Sequence, residues 1–328
     1  MKPGTQRCFS LLLGTCSLWA VAAATAQSQQ AYPTRPIRLV VPSAPGGGTD
    51  ISARIIAPKL SEYLGQQVIV ENRPGAGTMI GGEVVARAAP DGYTLLMGIS
   101  TLAINPAMYK KVPYDALKDF APVSQVVSLP NILVTHPSLP VKSVKELIAF
   151  ARVRPGQLNF ASAGVGTNPH LSMELFLSQA GLKMVHVPYK GSGQGVIDLL
   201  AGHVSVMTPS IITALGYVRD GRLRGLGVTS ARRAAGTPDI PTIAEAGVPG
   251  YEAVQWFGVL APAGTPRDIV TKLHSNVVRV LQNADTRKRF IDDGADPVGN
   301  SPEEFAAFVR SETVKWAKVV KDAGIKPE

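Results

Sequence analysis

The amino-acid sequence predicts an α/β protein of two domains, each a largely parallel sheet with its loops gathered along one edge. Three observations carry that reading. Short apolar runs alternate with helical patterns in the order strand, loop, helix, strand, starting near residue 37 and restarting near residue 131. Glycine-rich turns stand between a strand and a helix four times. The 328 residues are 45% hydrophobic and 17% charged, a globular composition that excludes disorder, collagen and coiled coil. At about 150 residues per domain, the length suits two cores.

The first 26 residues stand apart from the fold. Lys2 and Arg7 precede an apolar run from Phe9 to Ala24, which ends in Ala24-Thr25-Ala26. This is the pattern of an export signal cut after Ala26. The run is shorter than the ~20 residues a membrane span needs. A lipoprotein site at Cys16 is poorly served by Thr15 directly before it. Both cysteines, Cys8 and Cys16, fall within this segment, so the exported chain is expected to have no disulfide, thiol nucleophile or thiolate metal site. No later apolar run approaches ~18 residues, so a soluble periplasmic protein is expected. The net charge of +9 includes no block of five like charges. Arg232-Arg233 and Arg287-Lys288-Arg289 lack interleaved aromatics and read as solvated faces, not a nucleic-acid footprint.

The elements follow in order. Residues 37–41 are the first strand and 42–48 a loop. Thr49 or Asp50 is the expected cap of a helix to about Leu64, with Ile51, Ile55, Leu60 and Leu64 near one face and Gly65 as its stop. A strand over 68–70, a glycine turn, a helix over about 79–88, a turn at Pro90-Asp91-Gly92 and a strand over 94–97 complete the first unit. The second has a strand over 132–134, a helix over 144–152 behind Ser143, and a run at 158–160 leading to a helix that carries Leu171, Leu175 and Phe176. A strand over 185–187, a short helix over 193–200 stopped by Gly202, and strands over 204–207 and 226–228 follow. The tail is helical over 266–282, 285–292 and 302–323, the last behind Ser301-Pro302-Glu303. The chain crosses between domains near residues 131 and 252.

The chemistry lies in the loops. Pro45-Gly46-Gly47-Gly48-Thr49-Asp50, Gly75-Ala76-Gly77-Thr78, Ser162-Ala163-Gly164-Val165-Gly166-Thr167 and Tyr189-Lys190-Gly191-Ser192-Gly193 each put backbone N–H groups and a helix N-terminus at the carboxyl edge of a sheet. Any one such loop can be a tight turn; four together favour an anion-binding cleft. Asp50 is expected to hold the first loop in shape while the N–H groups of Gly46 to Gly48 face the ligand. Sharper motifs fail. Ile51 and Ile80 stand where a dinucleotide fingerprint needs Gly or Ala, and no G-K-[ST] occurs. Gly191-Ser192-Gly193-Gln194-Gly195 has Gly where a nucleophile elbow needs Ser. The five histidines form no zinc-binding spacing, so neither metal nor cofactor is expected. His170 begins a helix beside the third loop, as ligand contact or as cap. Trp256-Phe257 is core or cleft wall.

At these loops the sequence resembles a known family. Val41-Pro42-x-x-Pro45-Gly46-Gly47-x-x-Asp50-x-x-Ala53-Arg54 and Val70-Glu71-Asn72-Arg73-Pro74-Gly75-Ala76-Gly77 are similar to motifs of the solute-binding proteins of tripartite tricarboxylate transporters, the Bug receptors. Gly164-x-Gly166-Thr167-x-x-His170-Leu171-x-x-Glu174, His186-Val187-Pro188-Tyr189-Lys190-Gly191, Asp198-Leu199-x-x-Gly202 and Trp256-x-Gly258-x-x-Ala261-Pro262-x-Gly264-Thr265-Pro266 continue it in the family's order. The resemblance implies a Venus-flytrap fold, the periplasmic-binding-protein architecture with crossing strands. Domain 1 would span 27–130 plus 253–328 and domain 2 would span 131–252. It implies a small carboxylate ligand, held by loop donors from Ala44, Gly46, Gly47, Asp50, Thr78, Ser100 and Thr101 on one side and Ser162, Gly164, Thr167, His170 and Lys190 on the other. Ser43-Ala44 departs from the family's usual aromatic in the opening loop, and Thr78-Met79 from its third glycine and small residue. The implied role is that of a monomeric receptor handing its ligand to membrane transporter subunits. The alternatives are a ligand sensor for a signalling partner and a periplasmic α/β enzyme, for which no nucleophile and base are visible.

Overall fold

The computed structural model describes residues 32–322, so the expected export signal and its expected cleavage after Ala26 lie outside the described residues. The first half runs β1 (Ile37–Val41), α1 (Gly48–Leu64), β2 (Val68–Asn72), α2 (Met79–Ala86), β3 (Thr94–Ile99), α3 (Thr101–Met108) and β4 (Phe120–Pro130). Then come β5 (Ile132–Thr135), α4 (Val144–Arg152), β6 (Asn159–Ser162), α5 (Asn168–Ala180), β7 (Val185–Pro188), α6 (Ser192–Leu200), β8 (Val206–Met207), α7 (Ile211–Arg219) and β9 (Arg224–Val228). The chain returns through β10 (Val254–Pro262), α8 (Arg267–Gln282), α9 (Ala284–Asp292), β11 (Asp296–Pro297) and α10 (Pro302–Asp322).

These strands form two sheets, of order β11-β4-β10-β3-β1-β2 and β7-β6-β8-β5-β9. The first lobe therefore draws strands from both ends of the chain, and the second from the middle. The pairs β1–β2, β1–β3, β6–β7 and β6–β8 are parallel, as the strand-loop-helix order predicts. The sheets are nonetheless mixed, because β10 runs antiparallel to β3 and β4, and β5 antiparallel to β8 and β9. The reason is the crossing. Each of these strands enters its lobe from the edge facing the other lobe, so it must run against the strands that end there.

Alternation along the strands buries both faces of each sheet. Leu39 and Val41 of β1 face a core shared with Ile56 and Leu60 of α1 and Leu273 and Val277 of α8. Val40 and Leu96 face the other core, with Leu102 of α3 and Phe305 and Val309 of α10. In the second lobe Leu133 packs with Phe160, Phe176 and Tyr251. Ile132 and Val134 join the core that continues from the first lobe through Ile211 and Leu215 of α7. The two chain crossings are tied together: Thr229 N–H donates to Asn131 O, Asn131 N–H to Thr229 Oγ1 and Ala253 N–H to Thr229 O.

Candidate functional site

Strands β1, β2 and β3 of one lobe and β6, β7 and β8 of the other all end toward the space between the sheets. A cavity of about 90 Å³ lies there, lined from both lobes. The starts of α1, α5, α6 and α7 converge on it through Gly48 and Thr49, Thr167 and Pro169, Ser192, and Ser210. The first N–H groups of a helix have no intrahelical acceptor and carry the positive end of its dipole. Lys190 is the one charged residue among those lining the cavity.

The first loop is set by a carboxylate. Gly47, not Thr49 or Asp50, is the residue that caps α1, in an extended conformation. Asp50, in the first turn and buried, reaches back to accept hydrogen bonds from Gly46 N–H (2.9 Å), Arg54 Nε (3.0 Å) and Asn72 Nδ2 (3.0 Å). Burial would raise its pKa, but these donors outweigh burial and hold it below the usual carboxylate range. Asp50 is therefore absent from the cavity lining, and Gly46 N–H is committed to it. That corrects the expectation that Gly46 donates to the ligand; Gly47, Gly48 and Thr49 form the lining instead.

The second loop is conformationally unusual. Ala76 (φ +47°) and Thr78 (φ +75°) both sit in the left-handed region, which a β-branched residue rarely occupies. Thr78 lines the cavity, with its Oγ1 2.5 Å from Thr101 Oγ1 behind it. Asn105 Nδ2 holds Gly77 O (3.1 Å), and a Cβ at Gly77 would lie 2.6 Å from Tyr109 Oη. Ser100 is fully buried and accepts the Trp256 N–H (3.1 Å).

The third loop is set by a serine and two histidines. Ser162 Oγ accepts Gly164 N–H (3.0 Å) and bonds His186 Nε2 (2.6 Å). His170 Nδ1 accepts Gly166 N–H (3.2 Å), and its ring stacks on His186 with centroids 4.1 Å apart. Phe160 covers the other side of His186 at 4.8 Å. Burial, with His170 adding to it, pushes the His186 pKa down to about 4, so the imidazole is neutral at neutral pH. Thr167 Oγ1 donates its proton to Gly164 O (2.6 Å), so this hydroxyl shapes the loop and is not free to donate to a ligand. In the fourth loop Tyr189 Oη donates to Asp198 (2.6 Å), and burial and that carboxylate push its pKa up to about 12.

Of the sequence-predicted residues, Gly47, Thr78, Gly164, Thr167 and Lys190 line the cavity. Ala44, Gly46, Asp50, Ser100, Thr101, Ser162 and His170 stand behind it or at its rim. The cavity also takes in residues the sequence reading passed over. Ser43 Oγ is buried with no hydrogen-bond partner among the described residues. Gln255 and Phe257 come from β10, and Ser210 precedes α7. Strand alternation separates the aromatic pair: Phe257 lines the cavity, while Trp256 turns away to pack edge-on against Phe305 and Phe308.

The lobes meet across this cavity. Ala44 N–H points to Lys190 O (3.4 Å), and Tyr109 Oη donates to Val165 O (2.8 Å). A Cβ at Gly193 would lie 2.7 Å from Pro45 O, and one at Gly191 3.0 Å from Ala44 Cβ. This is the closed arrangement of two lobes. Among the described residues no cluster of His, Cys, Asp and Glu could hold a metal, and no helix is long and apolar enough to cross a membrane.

Comparison with known proteins agrees with this geometry. The family model described as tripartite tricarboxylate transporter family receptor matches residues 52–325. Protein BugT of Bordetella pertussis is 41% identical over 301 residues, 91% of this chain and 92% of BugT. Two solved structures each cover 90% of this chain and 100% of their own at a TM-score of 0.88: periplasmic binding protein BugD, 34% identical, and R. palustris Rpa4515 with adipate, 41% identical. The fold is accordingly that of the two-domain periplasmic binding proteins, and the chain belongs to the tripartite tricarboxylate transporter receptor family, the Bug solute-binding proteins.

Proposed function

We propose that the protein is a periplasmic receptor that closes on a small carboxylate and presents it to the membrane subunits of a tripartite tricarboxylate-type transporter. The observation that carries this is the cavity itself: four helix N-termini converge on an enclosed space lined by one lysine and no acidic side chain. The adipate-bound relative supports a carboxylate as the anion. The receptor acts as a monomer after export, with the signal removed behind Ala26. Its hinge divides 27–130 plus 253–328 from 131–252. Gly47, Gly48, Thr49 and Ser43 of one lobe and Ser192, Ser210 and Lys190 of the other are the groups placed to meet the ligand, with Asp50, Ser162 and His170 fixing the loops.

A ligand held by both lobes binds only the folded chain, and at a hundredfold excess over its Kd adds about 2.7 kcal/mol. That corresponds to a rise of several degrees in Tm for a chain of this size. A thermal-shift screen of mono-, di- and tricarboxylates, sugars and cationic amines checks it. At least one carboxylate raises Tm, and sugars and amines do not. Sugars raising Tm with every carboxylate silent contradicts the proposal.

A further inference from the structure

Within that carboxylate-receptor reading, we infer that Gln255 is a specificity-determining residue whose side-chain carbonyl selects carboxylates that also carry a hydroxyl. A chain of buried amides fixes which way Gln255 points. Val254 O can only accept, so Asn168 donates to it through Nδ2 (3.1 Å) and presents Oδ1 on its other side. Asn131 Nδ2 donates to that Oδ1 (2.8 Å) and to Ser172 Oγ (2.9 Å), which leaves Asn131 Oδ1 as an acceptor. Gln255 Nε2 donates to Asn131 Oδ1 and reaches Val127 O (3.5 Å), a second acceptor. Every alternative flip would set two donors or two acceptors against each other. The NH₂ of Gln255 is thus held by the hinge.

Its Oε1 is the remaining end. Gln255 is 2% exposed and lines the cavity, and Oε1 takes no hydrogen bond among the described residues. Oε1 is not among the fully buried atoms without a partner, so it is reached from the cavity, and a ligand that displaces cavity water must supply its donor. The lining also offers donors: helix N–H groups, hydroxyls such as that of Ser43, and the Lys190 ammonium. An ionised carboxylate satisfies those and has no proton for Oε1. An ammonium could donate to Oε1, but it would face four positive helix ends with no lining carboxylate to offset them. A hydroxyl donates without adding charge. Discrimination of this kind is sharper than that of an apolar pocket, because the analogue lacking the hydroxyl leaves the buried acceptor unpaired.

The test uses matched probes on the purified protein: lactate against propionate, 3-hydroxybutyrate against butyrate, and 2-hydroxysuccinate against succinate, each measured by calorimetry. In at least one pair the hydroxylated acid binds about tenfold more tightly. In Gln255→Met, which keeps the length and removes the acceptor, the two members of that pair come within about threefold of each other. Carboxylates that bind with no preference for the hydroxyl in wild type overturn the inference and leave the receptor reading intact, whether or not the variant folds. A preference that persists unchanged in Gln255→Met also overturns it. Failure of every acid to bind overturns both.

Discussion

Two glycine loops that face each other across the cavity are held in shape by opposite chemistry. In the first lobe the anchor is an ionised carboxylate: Asp50 binds Gly46 N–H and is itself clamped by Arg54 and Asn72. In the second lobe it is a hydroxyl and two stacked imidazoles, Ser162, His186 and His170. Both arrangements leave helix N-termini open to the cavity. The first keeps its negative charge turned away from the cavity, and in the second His186 is neutral at neutral pH. The lesson is that these side chains shape the loops and leave helix N-termini facing the cavity. Acid should therefore loosen the two loops over different pH ranges.

The largest expected effect comes from stopping the loops meeting. Gly193→Ala places a Cβ against the backbone of Pro45 and Gly46 at 2.7–3.0 Å in the closed form, where no flexible side chain can give way. Overpacking of this kind costs about 1–3 kcal/mol and falls on the closed state alone, so apparent affinity should drop by up to roughly a hundredfold. The Tm of the ligand-free protein should barely change. Wild-type affinity in this variant would mean that closure does not bring α6 onto the first loop.

Next comes the charged anchor. Asp50→Ala leaves Gly46 N–H and Arg54 without their acceptor and should lower stability by about 1–3 kcal/mol and affinity by about tenfold. Asp50→Asn retains an acceptor for Gly46 N–H and should keep much of both. If Asp50→Asn instead binds the acid far more tightly than wild type, Asp50 repels the ligand directly.

A smaller effect sharpens the contrast between the lobes. The folded-state pKa of His186 lies near 4, against an ordinary value of 6.5. The unfolded chain therefore takes up this proton first as pH falls. The stabilisation is complete above pH 6.5 and is lost on descending toward 4. Asp50, held below the carboxylate range, contributes loss only at more acid pH. Tm measured against pH should slope between 6.5 and 4 in wild type and be flatter there in His186→Gln. Parallel slopes in the two proteins would remove His186 from the acid response.

Much of this was legible in the sequence, and the gaps have physical causes. Ser143 stands where a cap of α4 is expected, and its Oγ does accept Glu146 N–H. Gly65 at φ +72° ends α1 as its position suggests. Each of the four glycine turns contributes residues to the cavity lining. Helix α7 gives no helical signal at its start, where Ile211-Ile212-Thr213 is β-branched, yet that start supplies Ser210. Strand β4 contains Pro122, Ser124 and Gln125, which break an apolar pattern. Ser124 Oγ and Gln125 N–H instead bond Asn300, far along the chain, where no local rule reaches. Gln255 did leave a signal, a polar residue within the apolar run of β10. Its role depends on Asn131 and Asn168, which only the fold brings beside it.

The smallest expected effect tests most directly the claim that backbone and helix ends hold the ligand. Lys190 is the one charged residue lining the cavity, and its side chain is exposed. An exposed charge contact is worth roughly 0–1 kcal/mol. Calorimetric titration of wild type and Lys190→Ala, with the carboxylate that most raises Tm in the screen, should give Kd values within about tenfold of each other. Abolition of binding in Lys190→Ala, with the fold intact by circular dichroism, would mean that a salt bridge holds the ligand and the helix ends do not.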